Sequence, residues 1–217
     1  MASDSVHQPL SPLRSFWVQF CENRGAVAGL AVLCFIILLA VFADWAAPYS
    51  PVEQFRDFTK LPPFWVEGGN SKFLFGTDAL GRDTLSRLIY GARISLFIGL
   101  TVMVVSIIAG ILLGLMAASV GGLVDVAIMR VMDLILSVPG LVLAILIVAV
   151  LGPNLTNTIV AVTVVFLPRY VRLVRASALS ELGKDYVIAS KVAGAGPLRL
   201  MLVTVLPNCL APLIVQA

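Results

Sequence analysis

The sequence predicts an all-α integral membrane protein, a polytopic helix bundle. Three observations carry that reading. Of 217 residues, 59% are hydrophobic and 12% charged, against about 45–50% and about 25% in an ordinary soluble domain. The mean hydropathy is +1.01. The apolar residues also gather into charge-free runs long enough to cross a bilayer. Together these exclude a soluble domain built around a large core. The net charge of +3 is too small to point to nucleic acid. Where the charges lie along the chain matters more than their sum.

Residues 1–24 form a polar start. Within it Leu13, Phe16, Trp17 and Phe20 recur at helical spacing, which predicts a short interfacial helix with aromatic rings at headgroup level. The nineteen residues Gly25–Ala43 carry no charge. At about 1.5 Å per residue they reach across a core of about 30 Å, so residues 25–45 are assigned as the first transmembrane helix. A secretory signal would have an apolar core of about 7–15 residues. Trp45 and Tyr49 mark the far interface.

Residues 46–93 form a long loop with six Lys/Arg and five Asp/Glu. The stretch "LPPFWVEGGN" argues against a span there. The end of the loop predicts an amphipathic helix. Leu85, Leu88, Ile89 and Ala92 share one face, and Asp83 and Arg87 stand one turn apart on another. Asp78, Arg82, Asp83 and Arg87 read as intrahelical pairs on an elbow.

Residues 94–118 form a second span. Ser106, Gly110, Gly114 and Ala118 recur every four residues. Small residues at that spacing let a neighbouring helix approach closely; the alternative is a stripe lining a substrate path. Ser119–Asp133 reads as a polar break with Asp125, Arg130 and Asp133. Residues 134–151 read as a third span, kinked near its start by Pro139 and Gly140. "GPNLTN" is a turn. Leu155–Leu167 is short for a span, but a helix continuing through Pro168 to about residue 175 reaches across.

Charge sets the topology. Residues 169–199 hold six basic residues (Arg169, Arg172, Arg175, Lys184, Lys191 and Arg199) against Glu181 and Asp185. The positive-inside rule places this segment in the cytoplasm. Four preceding spans then put the N-terminus inside as well, and the 46–93 loop outside. The six Lys/Arg of that loop run against the simple rule, although long loops translocate more readily. The apolar run at the end, beginning near Leu206, reads as the start of a further span that the chain does not complete, so the sequence is read as truncated at Ala217.

Between the last two apolar runs lies "KDYVIASKVAGAGPLRLMLVTVLPN", Lys184–Asn208. Asp185–Val192 predicts a short helix. Gly194-Ala195-Gly196 breaks it, and Pro197 suits the first turn of a second helix running to Leu206. The product is a helix–turn–helix elbow at the mouth of the bundle. Its tip is made of small residues, Ala189, Ser190, Ala193, Gly194 and Ala195. Small side chains let the backbone enter a partner's groove, and Lys191 and Arg199 favour an acidic rim.

This stretch resembles the "EAA" loop of ABC importer permeases, whose pattern is E-A-A, three residues, G, nine residues, I-x-L-P. Here Ala189-Ser190 precede three residues, Gly194, nine residues and Thr204-Val205-Leu206-Pro207. Ile188 stands in place of the Glu and Thr204 in place of the Ile. "GTDALGRDTLSRLIYGARISL" (Gly76–Leu96) and "GGLVDVAIMRVMDLILSVPGLVLAI" (Gly121–Ile145) resemble the peptide and nickel branch. "DYVIASKVAGAG" and "LPNCLAPLIVQA" look especially like the C-type dipeptide permeases of that branch. The resemblance runs from about Arg14 to Ala217.

It implies a type I ABC importer permease of the bacterial inner membrane, with residues 94–217 as the permease core. It implies a second homologous permease, one or two cytoplasmic ATPase subunits, an external solute-binding protein and surrounding lipid, with no nucleic acid. Asp185, Tyr186, Ala189, Ser190, Lys191, Ala193, Gly194, Ala195 and Gly196 would dock on an ATPase. Asp78, Arg82, Asp83 and Arg87 would alternatively touch the binding protein or the sister permease. ATP and Mg would sit on the ATPases, with no cofactor on this chain.

The sequence has no G-x-x-x-x-G-K-[ST] loop to cradle phosphates, and no Ser-His-Asp set or metal-ligand spacing. Cys21, Cys34 and Cys209 lie far apart; Cys34 reads as an apolar residue within a span. His7, in the polar tail, is assigned neither a catalytic nor a metal role. The implied cargo is a dipeptide, with oligopeptide, haem or a nickel chelate on the same scaffold as alternatives. An ion-driven secondary transporter would need ionisable residues near the bilayer midplane, and the four apolar runs carry none.

Overall fold

Almost every described residue outside one loop is helical in the computed structural model, which describes residues 12–216. His7 and Ala217 lie outside the described residues, as does the side chain of Leu13. The chain divides into two compact units, one up to Phe97 and one from Ile98 onward.

In the first unit, α1 (Pro12–Glu22) presents Phe16 and Trp17 to the surroundings, both rings stacked on Phe20. Asn23 ends the turn and caps α2 (Arg24–Val41): its Oδ1 accepts from the N–H groups of Gly25 and Ala26 at 3.0 and 3.2 Å. Such a cap satisfies donors that a helix start leaves orphaned. Only 6% of the α2 apolar window is buried within the protein, so its side chains face outward. Cys34 is among them. A short helix α3 (Ala43–Ala46) follows. Its Asp44 accepts from the Tyr90 hydroxyl at 2.9 Å and from Arg93 at 3.2 Å.

The long loop carries a small core of its own. Phe73 is fully buried, with the rings of Tyr49, Phe55 and Phe58 centred 5.7, 5.0 and 5.6 Å away. Lys72 lays its ammonium 4.7 Å from the Phe55 ring centre, a cation–π contact. Thr77 bridges two backbone groups: its hydroxyl accepts from Leu61 N–H at 3.0 Å and donates to the carbonyl of Phe58.

The charged elbow differs from the sequence expectation. The helix α4 (Thr84–Val120) begins only after Asp83, so Asp78 and Arg82 precede it and cannot form intrahelical pairs. Asp83 is 1% exposed. It is drawn inward because its carboxylate accepts from the N–H and hydroxyl of Ser86, both at 2.7 Å, and so caps the helix start. The Ser86 hydroxyl in turn accepts from Tyr49 N–H at 3.1 Å. Arg87 therefore pairs with Asp78, not with Asp83. Ser86 and Ile89 are the buried residues of this first stretch, while Leu88 is exposed.

Asp78 also takes the N–H groups of Leu80 and Arg82 at 2.8 and 2.9 Å and the Arg82 side chain at 2.8 Å. Desolvation opposes its ionisation. The hydrogen bonds from Arg82 and Leu80 outweigh this and hold the carboxyl down at about 2. A depressed acid stabilises the fold above its ordinary value of 3.8, and that contribution is lost as the pH falls through about 2. In an acid titration followed by Trp65 fluorescence, Asp78→Asn should remove the step between those values and weaken the loop at neutral pH. Identical titrations for the two proteins would refute this role.

The second unit is built on α7 (Leu155–Leu182), started by Asn154, whose side chain accepts from Asn157 N–H at 2.8 Å. The helix runs unbroken through the buried Pro168. The part of α4 from Ile98 onward packs along it. A side-chain carbon added at Gly110 would lie 2.6 Å from Tyr170 Cβ, and one at Gly114 would lie 2.7 Å from Val174 Cβ. The paired positions rise together, so the two helices run parallel. Ser106 is buried on the same stripe.

Two segments depart from expectation. Residues 119–133, read as a polar break, belong largely to α5 (Gly122–Ser137), separated from α4 only at Gly121. The polar residues do not break the helix because α7 answers them: Arg175 grips Asp125 through Nε and Nη2, and Arg172 donates to Asp133 at 2.5 Å. Residues 134–151, read as a span kinked near its start by Pro139 and Gly140, begin within α5 and bend at that place more sharply than a kink. The chain turns by 93° between α5 and α6 (Gly140–Leu151). Val138, preceding Pro139, is extended at φ −98° and ψ 133°, because the proline ring disfavours the helical region for the residue before it.

Beyond α7 lie α8 (Asp185–Val192), α9 (Pro197–Arg199), a widened π turn (Leu200–Val205) and α10 (Leu206–Gln216). The second arm of the elbow does not stop before Pro207. In the π turn Leu206 N–H reaches back to Met201 O. This widening immediately precedes Pro207, whose ring in a regular helix would meet the carbonyl four residues back. The elbow arm and the apolar run after it therefore make one candidate span, Pro197–Gln216. Among the described residues three helices are long and apolar enough to cross a membrane: α2, α4 and Pro197–Gln216. The bent α5–α6 pair adds a fourth if taken as one span.

Candidate coupling elbow

The predicted helix Asp185–Val192 has the predicted bounds. Asp185 sits in its first turn and Lys191 in its last, each on the side of the helix dipole that favours its charge. After Ala193 the chain reverses at Gly194, whose φ is 87°. Gly194 N–H donates to Lys191 O at 3.1 Å and Ala195 N–H to Ser190 O at 3.1 Å, closing the helix end. This left-handed residue past the last turn suits glycine. Pro197 then opens α9 at its first position, as expected.

Asp185, Tyr186, Ala189, Lys191, Ala193, Gly194 and Gly196 are exposed, and Ser190 and Ala195 half-buried. Val187, by contrast, is 2% exposed. It inserts into the main core with Val174 and Ala178 of α7 and Met201, Val205 and Cys209 beyond the elbow. A cleft of about 540 Å³ lies under α8, lined by Leu182, Val187, Ile188, Lys191, Ala195 and Leu200. Ile188, which replaces the pattern's Glu, is 51% exposed. Thr204, the other departure, faces Ser190 across the elbow with the two hydroxyls 3.5 Å apart. At that limiting distance the contact is weak, and Ser190→Ala should leave transport nearly unchanged in an uptake assay.

The sequence reading missed what fixes this helix. Glu181, near the end of α7, accepts from Lys184 Nζ at 2.7 Å and from the Tyr186 hydroxyl. Asn208 Nδ2 donates to Tyr186 Oη at 3.1 Å and to Thr204 O at 3.0 Å. One chain of polar groups thus ties α7, α8 and α10. The hydrogen bond to Glu181, with desolvation, pushes the Tyr186 phenol up to about 12, and Lys184 and Tyr186 together lower the Glu181 carboxyl. Near neutral pH the phenol keeps its proton and the carboxylate its charge, so the lock is closed. The signal available for half of it was the Glu181-x-x-Lys184 spacing; nothing marked Asn208.

Of the remaining predicted residues, Gly110 and Gly114 lie against α7 with Ser106 and Ala118 buried beside them, and Asp78, Arg82 and Arg87 cluster in the first unit apart from Asp83. Among the described residues no group of three or more His, Cys, Asp or Glu side chains is placed to hold a metal ion.

Several apolar helices of spanning length, with an exposed elbow between α7 and the last of them, define a polytopic membrane protein. The family described as binding-protein-dependent transport system inner membrane component matches residues 110–217, and that described as the N-terminal TM domain of oligopeptide transport permease C matches residues 11–63. A di/tripeptide transport system permease protein DppC of Pseudomonas aeruginosa is 58% identical, with all of this chain and 71% of the relative covered. A dipeptide transport system permease protein DppC of Haemophilus influenzae is 50% identical over 96% of this chain and 70% of its own. A peptide transport system permease protein SapC of Escherichia coli is 37% identical, covering all of this chain and 74% of the relative. The chain belongs to the family of binding-protein-dependent transport system inner membrane components, the permeases of ABC importers.

Proposed function

We propose that this chain passes dipeptides across the cytoplasmic membrane as one of two permease subunits of an importer, with α8 as the element driven by a cytoplasmic ATPase. The observation that carries the reading is the elbow itself: a tip of small exposed residues, on a helix that Val187 and the Glu181–Tyr186–Asn208 chain anchor to α7 and α10. A loosely attached helix would absorb a push, whereas one anchored through its first turn to α7 and α10 passes it on to them. In this reading the elbow and the N-terminus are cytoplasmic, the loop of the first unit faces the binding protein, and ATP and Mg are bound by the partner ATPases. This chain supplies no catalytic group. ATPase closure draws the two elbows together, the spans rock from inward- to outward-facing, and a peptide delivered from outside passes on the reset. The dipeptide cargo rests on the names of the similar permeases.

The test is ATP-driven uptake by the reconstituted importer, with sister permease, ATPases and binding protein, comparing labelled dipeptides with longer peptides, haem and nickel chelates. Dipeptide uptake is expected. Uptake of another solute alone would replace the cargo and leave the coupling reading in place. Failure of an ATPase to co-purify with the chain would remove the coupling reading.

A further inference from the structure

We propose that the two arginine–aspartate pairs between α5 and α7 are positioning residues for transport, which make the bent α5–α6 unit move with α7 as one body. The inference rests on the importer reading above and extends it from the elbow to α5 and α6.

The pairs join residues 50 and 39 positions apart in sequence. Asp125–Arg175 is two-pronged, Nε to one carboxylate oxygen and Nη2 to the other, with the side chains 20% and 30% exposed. Asp133–Arg172 is single-pronged and about half exposed. Val124, Ile128, Met129 and Ile135 are half-buried along one face of α5, so apolar packing shares in holding it and the two pairs add orientation. Met132 is its only buried residue, while Leu123, Val126, Val131 and Leu134 are exposed. The planar fork of arginine fixes orientation as well as distance, so the first pair sets the rotation of α5 and the second its tilt. Residue 125 pairs with 175 and 133 with 172, so α5 runs antiparallel to α7. Beyond the 93° bend α6 continues along α7 in the same sense as α5: a side-chain carbon at Gly140 would lie 2.8 Å from Val165 Cγ1. The same α7 ends at Leu182, beside the Glu181 lock on the elbow. Displacement of α8 reaches α7 through the Glu181 lock, and the two clasps pass it from α7 to α5 with a fixed orientation.

The test uses the complete importer and reads uptake per ATP hydrolysed. Asp125→Asn or Arg175→Gln should assemble normally yet lower that ratio about tenfold, within the range by which residues remote from a ligand change coupling. Arg175→Lys, which keeps the charge and loses the fork, should fall between. In a variant with Cys21, Cys34 and Cys209 replaced, Asp125→Cys with Arg175→Cys should be restored by a short bis-maleimide linker that joins the two helices covalently. An unchanged ratio in the single variants would overturn the proposal, as would equal losses of uptake and hydrolysis tracking loss of assembled complex. A cross-linked importer that hydrolyses ATP without uptake would also overturn it, because the helices would then have to separate in the cycle. Uptake by the unsubstituted importer is the control on the cargo. Should it fail, hydrolysis stimulated by the binding protein in the cross-linked variant still scores the clasp.

Discussion

Gly194→Arg is expected to abolish ATP-driven uptake while leaving the amount of membrane-inserted chain unchanged. The residue turns at φ 87°, and a side-chain carbon built on it meets nothing within 4 Å. The first side-chain carbon of an arginine therefore enters open space at the tip. The left-handed backbone costs an L-residue about 1–2 kcal/mol, borne by one turn whose flanking helix stays anchored by the buried Val187. Gly194→Asn separates backbone strain from bulk, since asparagine tolerates that conformation and adds a short neutral side chain. Asparagine should retain most of the uptake and arginine none, with ATPase co-purification following the same order. Normal uptake by the arginine variant would remove the tip from the docking surface. Equal loss in both variants would assign the effect to the turn.

That variant follows from a part of the fold that was legible in the sequence. The helix Asp185–Val192, the reversal at Gly194 and the restart at Pro197 each rest on backbone chemistry carried by one or two residues, so local reading suffices. The same holds for α2, most of which lies in the uncharged run Gly25–Ala43 and which is long and apolar enough to span. The errors came where the decisive partner is remote. Asp125, Arg130 and Asp133 looked like a break because their neighbours in sequence offer no reason to bury them. The arginines that receive two of these carboxylates lie 39 and 50 residues away. The surplus of arginine on α7 was read as a topology signal, yet three arginines on a helix packed against neighbours also demand partners, and that demand was the available clue. Asp83 failed differently. Its spacing from Arg87 fitted an ion pair, but the orphan N–H groups of the helix start compete for the same carboxylate and hold it inside. Asn208 carried no signal, because its bond to Tyr186 depends on a helix continuing past Pro207.

Gly114→Leu should destroy the second unit, with the monodisperse protein lost from detergent extracts and no uptake remaining. A side-chain carbon at Gly114 would lie 2.7 Å from Val174 Cβ and 2.8 Å from the Val171 carbonyl oxygen. The oxygen belongs to the backbone of α7 and cannot swing aside, so the helices must separate. Overpacking of a well-filled core costs about 1–3 kcal/mol even when side chains can adjust. Here separation also strips Leu115 and Ala118 from Tyr170, Val174 and Ala178 in the core that seats Val187 of the elbow. The defect should therefore reach the elbow, and ATPase co-purification should be lost with the fold. Gly99 is the control on the same helix: nothing lies within 4 Å of its added carbon, and alanine relieves the entropic cost of a helical glycine, about 0.5–1 kcal/mol. Gly99→Ala should match or exceed the unsubstituted protein in thermal stability by size-exclusion fluorescence. If Gly114→Leu melts with it, the close approach of α4 to α7 does not support the unit, and the small-residue stripe at Ser106, Gly110, Gly114 and Ala118 must serve the transport path.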